Sequence, residues 1–195
     1  MMRALIALLL ILIPTAAFAH TGHGDTAGIL HGFMHPIGGL DHVLAMIAVG
    51  VFAFVLGGRA LFMVPLSFVA LMAAGFGLGV AGVNVPFVEL GIALSSIVIG
   101  GAAALGRPMP VAAAMSLVGV FAVFHGHAHG AEMPVGALGL EYAAGFILAT
   151  AGLHLAGIAA AMGVAKLVGG YGKTVAQVAG GLFAIGGLGV LAGWL

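Results

Sequence analysis

The stretch Phe124-His125-Gly126-His127-Ala128-His129-Gly130-Ala131-Glu132 holds three of the nine histidines of the chain within five positions, followed by a carboxylate. The residues around it are nearly all apolar. Polar, metal-competent side chains are costly at the edge of a hydrocarbon layer and usually serve a purpose there. On a helix, His125, His129 and Glu132 stand at i, i+4 and i+7, which is one face. His127 is rotated by about 200° from His125 and points elsewhere. Two imidazoles and a carboxylate on one stripe make half of a divalent-metal site. The other half must come from another part of the chain.

A second polar group stands near the start of the chain, in His35-Pro36-Ile37-Gly38-Gly39-Leu40-Asp41-His42. Pro36 suits the first position of a helix, which would put His35 at its cap. Taken singly, Asp41 also suits a helix N-terminus and His42 an interhelical hydrogen bond, as readily as a functional role. The three together point to a functional site. Glu89 falls in the first turn of a later apolar run, with Ser96 two turns on along the same face; a first-turn Glu is also an ordinary dipole partner. His154 lies deep in another run, where an interhelical hydrogen bond competes with a ligand or relay role. His20 and His23, in the polar segment His20-Thr21-Gly22-His23-Gly24-Asp25, and His31 after it read as a solvated tail with at most an accessory metal role.

The elements that position these groups follow from composition. Charged residues are 5% of the chain, hydrophobic residues 63%, and the mean hydropathy is +1.31. That excludes a soluble domain. The apolar runs are continuous and about 20 residues long, as transmembrane helices require and β-barrel strands do not. The 35 glycines suit a bundle of closely approaching helices. Zero cysteine removes thiolate ligands and disulfides, and zero net charge offers nothing to nucleic acid. Residues 1–19 read as a signal peptide, with Arg3, an apolar core and Ala17-Phe18-Ala19 as the cleavage site; an uncleaved anchor is the alternative. Residues 20–34 follow as a short periplasmic segment and 35–195 as a six-helix transmembrane domain. The spans are expected from about Pro36 to Leu56, Leu61 to Ala81, Pro86 to Leu105, Pro110 to the histidine cluster, Leu138 to Met162, and a last one ending at Trp194. Arg59, Arg107, Lys166 and Lys173 fall in alternate loops, which predicts an all-α bundle with both mature termini outside the cytoplasm. That topology gathers the polar groups on the outer side of the membrane. Gly172-Lys173-Thr174 imitates the end of a phosphate loop, but Leu167 stands where its first glycine belongs and no strand precedes it.

His35, five residues, then Asp41-His42, together with Phe124-His125-Gly126-x-Ala128-His129-Gly130-x-Glu132, resemble the HupE/UreJ family of bacterial membrane proteins. The resemblance runs from the signal peptide to the last span. It implies an inner-membrane permease for Ni2+, with Co2+ as another cargo, and no organic cofactor. It implies partners in hydrogenase or urease maturation besides the lipid bilayer. By the same resemblance His35, Asp41, His42, Glu89, His125, His129 and Glu132 carry the metal. The extra His127 fills a variable position of the motif. Two other readings stand beside this one. An intramembrane metal-dependent enzyme would need a substrate pocket that the short loops do not offer. A metal-binding accessory protein would bind the ion and move none.

Overall fold

The computed structural model describes residues 28–133 and 139–195. The expected signal peptide, His20 and His23 lie outside the described residues. Those described are all-α, and the apolar runs fold as helices whose outward residues are as apolar as their inward ones. Phe62, Leu66, Val120, Leu148, Leu155, Val178 and Ile185 are all exposed. A helix apolar all round belongs in lipid. The chain is a multi-pass membrane protein.

Seven helices are described: α1 Ile29–Gly38, α2 Leu40–Leu56, α3 Ala60–Val80, α4 Val88–Leu105, α5 Val111–Ala131, α6 Gly139–Val168 and α7 Gly172–Leu191. α3, α4 and α5 are each long and apolar enough to cross a membrane, and α1 with α2 form one candidate broken span. The 53 residues Gly139–Leu191 reverse at the short 3-10 turn Gly169–Tyr171, where Gly169 adopts φ 58°. A Cβ on Gly172 would collide with Ala165, which only a tight reversal brings so near. α6 and α7 are therefore two antiparallel passes, and six membrane-length segments result.

α2 lies at the centre. From Ala45 to Val55 almost every side chain is buried. It packs on α3, α4, α6 and α7, while α3 pairs with α5, α4 with α7 and α1 with α6. Reciprocal glycines close these pairs. Gly75 and Gly79 of α3 seat against the carbonyls of Val123 and His127, and Gly126 and Gly130 of α5 against those of Met72 and Phe76. Gly50 of α2 meets the His154 carbonyl and Gly157 of α6 that of Ile47; Gly32 of α1 meets the Tyr142 carbonyl and Gly145 of α6 that of Ile29. Without a hydrophobic drive between helices in lipid, such backbone-close packing is what holds a bundle together. α2 and α5 differ: their backbones do not approach closely, and the imidazoles of His42, His125 and His129 meet between them.

Three boundaries differ from the sequence reading. Pro36 does not open the first span; it lies inside α1, and His35 is in that helix's last turn rather than at a cap. The missing N–H of Pro36 weakens α1, which ends two residues later. Gly39 is extended (φ −90°, ψ 116°), and α2 leaves at 88° to α1. α4 begins at Val88 rather than Pro86, after Phe87 at φ 60°. α6 continues past Met162 to Val168, so Lys166 is in its last turn.

Candidate metal site

The break between α1 and α2 opens a cavity of about 520 Å³, lined in part by His35, Asp41, His42, Glu89, His125, His129 and Glu132. Four elements deliver them: the end of α1 and start of α2, the first turn of α4, and the last two turns of α5. The glycine face of α5 is held against α3, so His125 and His129, one turn apart on another face, project toward α2. His42, in the first turns of α2, meets both. Its Nδ1 is 3.2 Å from His125 Nδ1 and 3.4 Å from His129 Nε2. The rings stand edge to face with centroids 5.0 Å apart in both pairs. All three are buried.

Hydroxyl groups fix the protons. Ser95 Oγ donates to the Ile92 carbonyl at 2.6 Å, so it has only a lone pair left for His125 Nε2 at 3.0 Å. His125 therefore carries its proton on Nε2 and turns a bare Nδ1 toward His42. A bare His125 Nδ1 at 3.2 Å needs a donor, which puts the His42 proton on Nδ1 and leaves its Nε2 to accept from Thr150 Oγ1 at 3.3 Å. The His42 N–H thus faces Nδ1 of His125, with Nε2 of His129 beside it at 3.4 Å.

Two nitrogens that share an ion at about 2.1 Å stand roughly 3.0 to 3.4 Å apart. The separations of 3.2 and 3.4 Å fall in that range. Among the described residues, however, no three His, Asp or Glu side chains are placed as a ready metal cage. The arrangement is a chain of imidazoles beside a cavity with carboxylates at its rim. Asp41 accepts the His42 backbone N–H at 2.8 Å, in the first turn of α2, where the helix N-terminus favours negative charge. Any side chain on Gly39 would crowd its carboxylate. Glu132 caps α5 and lies 3.8 Å from His35 Nε2 at the mouth. An aromatic wall of Phe76, Tyr142 and Phe146 backs the site, with Phe146 4.9 Å from His129 and Tyr142 6.3 Å from His35 between ring centroids.

A family model described as HupE / UreJ protein matches residues 8–190. The chain belongs to the HupE/UreJ family. It is 45% identical over 183 residues to "Protein HupE" of Rhizobium leguminosarum bv. viciae, covering 93% of each chain. No solved structure matches.

In this HupE/UreJ chain the cavity lining and the side chains behind it include residues that the sequence reading did not single out. His31, grouped there with the solvated tail, instead lies on α1 one turn before His35, stacks on it at 6.1 Å and lines the cavity. Ser95, not Ser96, reaches the histidines; Ser96 faces Gly187 of α7. The row Glu89, Ile92, Ser95 follows the i+3 ridge, which runs oblique to the helix axis. Thr150 and Tyr142 could have been found from their four-residue spacing with Phe146 and His154 on α6. His127 is turned away: its Nε2 donates to the Val83 carbonyl at 2.7 Å and ties α5 to the α3–α4 loop. His154 is buried below the cavity and does not line it.

Proposed function

We propose that this chain is a secondary permease that carries Ni2+, with Co2+ as a second cargo, from the periplasm to the cytoplasm for metalloenzyme assembly. The observation that carries the reading is that eight scattered polar residues of an otherwise apolar chain line one cavity. Nitrogen and oxygen donors without thiolate suit borderline divalent ions. Family membership supports the nickel assignment, which the resemblance implies. The cavity opens at the end of the bundle opposite Arg59, Arg107, Lys166 and Lys173. With those residues in the cytoplasm, as the positive-inside rule requires, the cavity faces the periplasm of the inner membrane.

In this reading Glu132, His35 and Glu89 meet the hydrated ion at the mouth. His42, His125 and His129 replace part of its water. Ligation through His42 Nδ1 requires its proton to move to Nε2, where Thr150 Oγ1 at 3.3 Å can accept it, since a metal ligand must offer a lone pair. The cage is incomplete as the side chains stand, so holding is weak enough to permit release. A dication moving inward gains about 4.6 kcal/mol per 100 mV of membrane potential, so no nucleotide is needed. The protein acts as a transporter and not an enzyme, and the ion it delivers would serve hydrogenase or urease maturation. Nickel uptake into proteoliposomes containing the purified chain tests this: accumulation above empty vesicles is expected, and binding without accumulation would leave an accessory protein.

A further inference from the structure

The inner face of α6 carries a row at four-residue intervals, Tyr142, Phe146, Thr150 and His154, all buried. Successive members lie about 6 Å apart along the axis. The first three each meet a cavity histidine in order of depth. Tyr142 lies beside His35, Phe146 beside His129, and Thr150 Oγ1 on His42 Nε2. The fourth, His154, is 1% exposed, and neither ring nitrogen has a hydrogen-bond partner among the described residues. A buried polar group left unpaired costs on the order of 1–3 kcal/mol. Leucine at this position would avoid that cost, so packing alone does not account for an imidazole.

Its depth is informative. His154 lies about 18 Å along α6 from Tyr142, which is buried beside His35, and about 18 Å from Lys166 at the far end. It is at the middle of the bundle, one turn below the His42 contact. The Phe68 ring stands between the two levels, 5.9 Å from His125 and 5.1 Å from His154 between centroids. On its backbone side the close crossing of α2 and α6 at Gly50 and Gly157 holds the residue in register.

We propose that His154 is a second cation station, which receives the divalent ion from the His42–His125–His129 level and holds it at mid-membrane on its way across. This rests on the transport reading. A neutral imidazole offers a lone pair to a borderline dication, and Thr150 Oγ1, one turn above on the same face, offers an oxygen between the two levels. Two weak stations at different depths let an ion enter one while another leaves, which suits conduction better than one tight site.

The test separates binding from movement in the full-length protein. Ni2+ binding is measured by calorimetry in detergent, and Ni2+ uptake in proteoliposomes with an entrapped metal-sensitive dye. His154→Phe and His154→Gln are compared with wild type; the amide of Gln keeps hydrogen-bonding capacity without a good metal ligand, and it carries the test if the Phe protein does not accumulate. Expected for both is binding within about twofold of wild type and an uptake rate at least about tenfold lower. Normal uptake by either variant overturns the proposal. So does an equal loss of binding and uptake, which would make His154 part of the upper site or of the fold. No uptake by the wild-type protein would overturn the transport reading itself, and is thereby distinguishable.

Discussion

On one face of α5, Gly126 and Gly130 seat against the carbonyls of Met72 and Phe76; on another, His125 and His129 reach across a gap to α2. Both pairs repeat at i, i+4, and they interleave within six residues. The glycine face meets backbone directly and has no room to adjust. The histidine face meets only side chains, beside a cavity. The contrast shows how a polar cavity is held open in a bundle with little hydrophobic drive: packing is concentrated on one side of a helix so that the other can stand away from its neighbour.

The contrast breaks hardest from the glycine side. Gly126→Leu should force α3 and α5 apart at a cost of about 3 kcal/mol, and most folded protein should be lost from detergent extracts. A normal yield of monodisperse protein would show that this contact does not set the histidines. From the other face, His42→Ala and His129→Ala should leave the yield unchanged and each lower nickel uptake at least about tenfold, with the double variant little worse than either. Losses that multiply would mean that the two rings serve separate ions.

Smaller effects sharpen the picture. Ser95→Ala removes the acceptor that holds the His125 proton on Nε2. Uptake at low nickel should fall about fivefold, the worth of one neutral hydrogen bond; no change would show that the tautomer is set elsewhere. His31→Ala, at the mouth, should raise the nickel concentration for half-maximal uptake about threefold at an unchanged maximal rate, a loss of under 1 kcal/mol in capture. A lowered maximal rate would move His31 into the transport step. The least effect belongs to His127→Ala, whose ring secures only the Val83 carbonyl. Uptake per molecule should stay within about twofold while thermal stability drops by about 1 kcal/mol. A large uptake defect would contradict its placement on a third face.

How much of this was legible depends on range. The facing of His125 and His129 follows from helical spacing within one element, so it could be read before any fold was known. The 88° break at Gly39 could not. Pro36 fits a helix start, and nothing local says that Gly32 docks on the Tyr142 backbone, 110 positions away, and makes α1 a helix of its own. The same docking brings His31 to the cavity. Ser96 looked like the companion of Glu89 on an ideal helix; the tilt of α4 against its neighbours selected Ser95.

By itself the sequence determined the class of molecule, an all-α membrane bundle, its family, and which polar residues are set apart from the apolar background. These rest on composition and on the helical repeat, which are local properties. Only the tertiary structure decided which faces of α4 and α6 turn inward, and so which hydroxyls orient the imidazoles. It alone decided that α2 and α5 stand apart and that His154 sits beneath them without a partner among the described residues. Those outcomes depend on reciprocal glycine contacts between distant segments, and one segment cannot specify the surface of the helix that it will meet.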